Sequence, residues 1–260
     1  MRSASTSSDQ APRRKTEPRT EVTVAGVLTI DCFHEHLAGA DGDTAVVAID
    51  VLRSTTTATT AVARGRRCFP AASMEDAVEL ASRLDHPLLA GELGGSLPYG
   101  FHVQNSPAEM DRRNDAERPM VLLSTSGTRL MREAADRGPT YAACLRNAAA
   151  QARHLVGRHD RVRLLGADAR GEFREEDQLC CAWIAARLVD SGYEPGDELT
   201  ERVLERWADA PHDAFIGGRS SSYLRDTGQQ PDLDFVLSHV DDLDSVFPVS
   251  AGEVLMRAAG

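Results

Sequence analysis

Four stretches of the chain gather carboxylates, hydroxyls, arginines and glycines in patterns that suit phosphate and hard-cation chemistry. In IDVLRSTTTATT (49–60), Asp50 ends an apolar run, Arg53 follows Val51 and Leu52, and Ser54, Thr55 and Thr56 open a helix-forming segment. A carboxylate for a metal, an arginine for a phosphoryl group and the free N–H groups of a helix start together make an anion site. The same residues also read as a hydroxyl-rich helix cap with an Asp–Arg ion pair. In STSGTRL (124–130), an apolar run enters a turn of Thr125, Ser126, Gly127 and Thr128, with Arg129 in the first helical turn. The G-x-x-x-x-G-K-[ST] of a nucleotide-binding phosphate loop is missing there. GELGGSLPYGFHVQNSPAEM (91–110) leaves a strand end at Glu92 and reaches a helix start at Asn105-Ser106-Pro107. Long loops inside a domain are commonly functional. GADARGEFREED (166–177) clusters Asp168, Glu172, Glu175, Glu176 and Asp177 at a strand-to-helix connection. That cluster suits a hard cation, or simply the positive end of a helix dipole.

These groups must be presented by the elements around them. Apolar runs at 44–50, 67–71, 87–92, 119–126, 139–144 and 161–168 alternate with helical patterns at 54–65, 74–84, 146–157 and 174–191, and with one that starts near Thr128. The alternation predicts an α/β fold: three layers, α/β/α, with a mostly parallel or mixed sheet and helices on both faces. In such sheets ligands sit beyond the carboxyl ends of the strands. That is where the four stretches fall, together with Cys144-Leu-Arg-Asn147. Beyond 196 the pattern is mostly helical, with one late apolar piece, SVFPVS (245–250). The expected organisation is a disordered tail over 1–20 and one domain over 21–260, readable also as two similar subdomains.

Bulk properties narrow the function. The 260 residues carry 29 Lys plus Arg against 40 Asp plus Glu, a net charge of −11, which argues against a nucleic-acid partner. No apolar run approaches the roughly 20 residues of a membrane span, and the N-terminus lacks the apolar region of a secretory signal. Five cysteines, an odd number that includes the adjacent Cys180 and Cys181, point to buried thiols and a reducing cytoplasm. Cys32-x-His34-x-His36 reads as a surface segment, because no second ligand cluster accompanies it. No G-x-S-x-G elbow or G-x-G-x-x-G turn supports a serine hydrolase or a dinucleotide cofactor.

From about residue 44 to 250 the motifs resemble the 2-phosphosulfolactate phosphatase family, Mg²⁺-dependent enzymes associated with coenzyme M biosynthesis. VVAIDVLRSTTTATTAVARG (46–65) is similar to the family's strand, Asp-Val-Leu-Arg and Thr-rich helix. GELGG with GFHVQNSP (91–107), STSGTR (124–129), CLRNAAA (144–150) and GEFREEDQLCCA (171–182) resemble its later motifs in order. Leu93 stands where the family usually has arginine, Ser126 replaces an asparagine and His102 an aspartate. GADAR (166–170) differs from the family's Cys-Ala-Gly-Thr run, and Ser-Ser-Ser-Tyr (220–223) lacks an expected His-Gly pair. The resemblance implies hydrolysis of a small phosphomonoester, 2-phosphosulfolactate or a related phospho-metabolite of specialised metabolism. The other reading is a phospho-metabolite binder without turnover. Catalysis is expected from Asp50, Arg53, Glu92 and Asp177, with Asp50, Glu92 and Asp177 as Mg²⁺ ligands. Substrate contacts are expected from Ser54, Thr55, Thr56, Asn105, Ser106, Thr125, Ser126, Gly127, Thr128, Arg129 and Asn147. The nucleophile is a metal-activated water or the Asp50 carboxylate; Leu52, where a D-x-D signature has its second Asp, favours water. A homo-oligomer is compatible with this reading.

Overall fold

The computed structural model describes residues 26–32, 42–168 and 171–260. The expected disordered tail lies outside these residues, as do His34 and His36.

The chain alternates strands and helices through its first two thirds, as the apolar periodicity predicts. The strands are β1 (Gly26–Asp31), β2 (Ala45–Ile49), β3 (Cys68–Ala71), β4 (Leu88–Gly91), β5 (Met120–Leu123), β6 (Thr140–Ala143), β7 (Arg161–Gly166) and β8 (Tyr193–Pro195), followed late in the chain by β9 (Ser245–Ser250), β10 (Glu253–Val254) and β11 (Arg257–Ala258). The helices are α1 (Ser54–Ala63), α2 (Met74–Ser82), α3 (Pro107–Arg112), α4 (Gly127–Ala135), α5 (Ala148–Leu155), α6 (Glu175–Asp190), α7 (Glu198–Trp207), α8 (Arg219–Asp226) and α9 (Gln230–Ser238).

All the strands join one mixed sheet in the order β4-β5-β3-β10-β9-β6-β2-β7-β1-β8, with β11 beside β9. It contains two parallel blocks, β4-β5-β3 and β6-β2-β7-β1-β8. The antiparallel pair β9 and β10 joins them. Strand β2 shows why helices cover both faces. Ala45, Val47 and Ile49 pack into the core shared with α5, α6 and α7, while Val46 and Ala48 pack into the core beneath α1 and α4. A strand apolar on both faces needs cover on both. Among the described residues no helix is long and apolar enough to cross a membrane.

Helix α1 is buried from Ser54 to Val62 and packs against α3, β6, β3 and α4. Its serine, threonine and alanine side chains are small enough for such close packing. Two of their hydroxyls turn onto nearby backbone: Thr56 Oγ1 donates to the Val51 carbonyl at 2.8 Å and Thr59 Oγ1 to the Thr55 carbonyl at 2.8 Å. Four strands lie outside the apolar runs: GVLTID, which forms β1, and the two- or three-residue β8, β10 and β11, which are too short to carry a pattern. Cys32 closes β1 and is only 2% exposed, so the Cys32 end of the predicted surface segment is buried instead. All five cysteines are free and buried, including the adjacent Cys180 and Cys181 for which burial is expected.

Candidate active site

A cavity of about 360 Å³ opens at the carboxyl ends of β2, β4, β5 and β7. Each of the four chemistry-bearing stretches contributes to its lining. Asp50 leaves β2, Glu92 leaves β4, Thr125 and Ser126 follow β5, and Asp168 follows β7.

The Asp50 carboxylate is fixed from its own chain. Ser54 Oγ donates to Asp50 Oδ2 at 2.5 Å, and the Asp50 N–H donates to Thr55 Oγ1 at 2.9 Å while that hydroxyl donates to the Asp50 carbonyl at 2.8 Å. Helix α4 presses its first residue against this carboxylate. A Cβ on Gly127 would lie 2.0 Å from Ser54 Oγ and 2.1 Å from Asp50 Oδ2, so only glycine fits. Burial raises the Asp50 carboxyl above the usual carboxylate range, and Glu92 adds to the rise, against the Ser54 hydrogen bond. Glu92 is oriented by three donors: the Thr125 N–H at 2.7 Å, the Gly95 N–H at 2.7 Å and Thr125 Oγ1 at 3.0 Å.

From the opposite side α6 brings Glu176 and Asp177, both 2% exposed. Asp177 Oδ1 accepts from the Val51 N–H at 2.8 Å, which pins the start of α6 to the Asp50 turn. Gly166 makes room for this approach, because a Cβ there would meet Phe173 at 2.4 Å and Asp177 Cβ at 3.0 Å. Burial pushes the Glu176 carboxyl up to about 7, with Asp50 adding to the rise; Asp177 is raised by burial, then by Glu176 and Asp50. The carboxylates of this cavity thus repel one another.

Arg53 is buried, and its guanidinium donates to Asp232 Oδ2 at 2.7 Å. Asp232, on α9, also accepts from Ser106 Oγ at 2.5 Å and the Ala108 N–H at 3.2 Å. The aspartate therefore ties α3 and α9 to the Arg53 turn. Beside it Asn105, 2% exposed, lines the cavity with a buried Oδ1 that has no hydrogen-bond partner.

The structure distributes the predicted site residues as follows. Asp50, Arg53, Glu92, Asp177, Asn105, Thr125 and Ser126 line the cavity. Ser54, Thr55, Thr56, Ser106, Gly127, Thr128, Arg129 and Asn147 are not among its lining residues. The hydroxyls of Thr55, Thr56, Ser106 and Thr128 are drawn into turns and caps, the last accepting from the Ser124 N–H at 2.8 Å. Arg129 turns outward to Glu133 at 2.6 Å, and Asn147 Oδ1 accepts from the Cys144 N–H at 3.0 Å. Sequence reasoning missed Asp232, Arg174 and Arg219; Asp168, Glu172 and Glu176 were flagged only as part of an acidic run, and Ser220 and Tyr223 only as a departure from the family's motif. Nothing in the QPDLDF segment around Asp232 signals a partner 179 residues away. Of the departures named above, Ser126, Ala167 and Asp168 of GADAR, and Ser220 and Tyr223 of the Ser-Ser-Ser-Tyr segment line the cavity, while Leu93 and His102 do not. His102 Nδ1 instead accepts from the Leu89 N–H at 2.9 Å.

The donor set fits a hard cation. Its oxygens are carboxylates, the ligands Mg²⁺ prefers, and their mutual repulsion is what a divalent ion would relieve. Among the described lining residues, six carboxylates face three arginines, Arg53, Arg174 and Arg219. Each of the three is already in an ion pair. The expected Asp50–Glu92–Asp177 ligand set is nevertheless not assembled as a protein-only cage. Among the described residues no group of three or more His, Cys, Asp or Glu stands ready to hold a metal.

Residues 32–251 match the model of the family described as 2-phosphosulpholactate phosphatase. A protein of Symbiobacterium thermophilum called "Probable 2-phosphosulfolactate phosphatase" is 36% identical over 214 residues, covering 77% of this chain and 88% of that protein. Proteins of the same name from Pseudothermotoga lettingae and Synechococcus sp. are 35% and 30% identical, covering 82% and 89% of this chain and 92% and 99% of those proteins. Motifs, cavity and relatives agree, and the chain belongs to the 2-phosphosulpholactate phosphatase family.

Proposed function

We propose that this protein is a Mg²⁺-dependent phosphatase that hydrolyses 2-phosphosulfolactate, or a close phosphomonoester, to the free alcohol and phosphate. The observation that carries the reading is the convergence of Asp50, Glu92 and the first turn of α6 on one cavity, beside the start of α4. Mg²⁺ commonly takes one or two carboxylates, several waters and the substrate's own phosphate oxygens, and needs no protein-only cage. Asp50 and Glu92 would hold it, with Asp177 across the cavity. Bound there, the ion would supply Lewis-acid polarisation of the phosphoryl group and neutralise its charge.

The chain's own residues do the rest. Ser126 heads α4, and its hydroxyl caps none of that helix's N–H groups. The N-terminus of α4 and the Thr125–Ser126 turn are thus the polar surface for phosphoryl oxygens. Arg53, held by Asp232, supplies a fixed positive charge in the cavity wall. Rate enhancement then comes mainly from positioning and charge stabilisation, as phosphoryl transfer requires. Attack is by water or by the Asp50 carboxylate. Burying the anionic substrate beside six carboxylates without a cation is electrostatically unfavourable.

Purified protein stripped with EDTA should release no phosphate from a panel of phosphomonoesters that includes 2-phosphosulfolactate, and Mg²⁺ should restore release. Full turnover by the stripped protein would remove the metal role. Tight phospho-ligand binding without any turnover would favour the non-catalytic reading.

A further inference from the structure

One corner of the cavity already holds an anion of the chain's own. Glu172 lines the wall, and its two oxygens each take a different arginine. Oε1 accepts from Arg219, and Oε2 accepts from Arg174 Nη1 at 3.0 Å. The arginines arrive from separate elements: Arg174 directly precedes α6, and Arg219 is the first residue of α8. Both line the cavity. Two guanidinium groups converging on one carboxylate form a receptor for an oxyanion. It is built from the segment before α6 and from α8, whereas the phosphoryl end is built from Asp50, Glu92 and the start of α4. Leu52, Tyr223 and Leu224 supply apolar lining in the same cavity.

The exposures differ in a useful way. The Arg174 side chain is 16% exposed, Glu172 44% and Arg219 74%. Arg174 is therefore the fixed member, while Glu172 and Arg219 have room to move. An ion pair this exposed is held weakly, so an incoming anion competes with Glu172 on nearly equal terms. Among the described lining residues the third arginine, Arg53, is buried against Asp232, so Arg174 and Arg219 are the cations open to an anionic leaving group.

We propose that Arg174 and Arg219 form a second anion subsite, which receives a carboxylate or sulfonate on the leaving group of the substrate. Glu172 is the internal occupant that this group displaces. The subsite selects phosphomonoesters with a second oxyanion over otherwise similar ones without it, and Glu172 sets how strong that selection is. This rests on the cavity being a phosphatase site.

The test is a ratio. For the Mg²⁺-loaded full chain, kcat/KM is measured with phosphoglycolate, which has a second anion, and with ethyl phosphate, which has none. The parent ratio should exceed one. Arg219→Gln should lower it about tenfold, Arg219→Lys should retain most of it, and Glu172→Gln should raise it severalfold. Both positions are exposed, so melting temperatures should stay close to the parent's. A parent ratio at or below one, or a ratio that neither variant moves, overturns the subsite. If neither ester turns over, the phosphatase reading fails by itself. The same ratio is then taken from calorimetric dissociation constants, where an unmoved ratio overturns the subsite and a shifted one supports it.

Discussion

Gly127 offers a sharp test of the catalytic geometry, because substituting it adds one methyl group and removes no functional group. A Cβ at this position would lie 2.1 Å from Asp50 Oδ2 and 2.0 Å from Ser54 Oγ, against an ordinary contact of 3.4 Å or more. Relief requires a movement of about 1 Å by the carboxylate, the Ser54 hydroxyl or the start of α4. Asp50 cannot yield cheaply, since its oxygen and both of its backbone polar groups are tied to Ser54 and Thr55. A misplacement of about 1 Å at a reacting centre costs on the order of 10²-fold in rate. Overpacking costs about 1–3 kcal/mol, and replacing a helical glycine returns up to about 1 kcal/mol of it. Gly127→Ala should therefore lower kcat about a hundredfold, while the melting temperature falls by no more than about 6 °C. Phosphate release at saturating substrate and Mg²⁺, beside a thermal melt, reads both. A variant whose kcat stays within threefold of the parent refutes the placement of Asp50 and the α4 start at the reacting centre. Loss of activity through wholesale unfolding would show the contact to be structural instead.

Three further outcomes follow from the same geometry. Asp50→Asn removes the central carboxylate but keeps its shape, and should lower kcat by several orders of magnitude with little change in melting temperature; a collapsed fold would assign Asp50 to structure. Asp232→Ala leaves the Arg53 cation buried and unpaired, and should destabilise the chain by about 3–5 kcal/mol and weaken turnover; a melting temperature like the parent's would show that Arg53 is solvated. Burial and mutual repulsion raise Asp50, Glu176 and Asp177 in the folded chain, Glu176 to about 7 from 4.5. Carboxyls that keep their protons to higher pH when folded lend stability below the ordinary carboxylate range and lose it as pH rises, for Glu176 across about 4.5 to 7. The melting temperature of the metal-free protein should thus fall over this interval, and Glu176→Gln should flatten the fall; an identical slope in the variant would show that Glu176 titrates normally.

The cavity wall formed by strand ends was legible because apolar runs of strand length stop at Asp50, Glu92, Ser124 and Asp168, and a carboxylate or hydroxyl that ends such a run is placed beyond the sheet edge by its period alone. The far wall was not. Arg219, Ser220 and Tyr223, and Asp232 behind Arg53, sit in the helical region after residue 196, where the sequence shows amphipathic helices but not which face meets the sheet. The hydroxyls of Thr55, Thr56 and Thr128 illustrate a second limit. A threonine opening a helix can offer its hydroxyl to a ligand or turn it onto nearby backbone, and the choice depends on packing that no local pattern encodes. In α1, burial on every side settled it toward the backbone. His102 likewise stands in a motif where the family has aspartate, yet its ring supports the edge of β4 instead of the cavity.

The closure of the sheet has a consequence for how the protein is made. Between β3 and β6 the hydrogen-bonded path runs only through β9 and β10, which span Ser245–Ser250 and Glu253–Val254. Asp232, which locks Arg53 to the start of α3, also comes late. A nascent chain can therefore display Asp50, Glu92 and Asp177 long before its two parallel blocks are stitched together. Synthesis that stalls before these last strands leave the ribosome would yield every expected catalytic side chain without the strand pair that joins the two blocks in register.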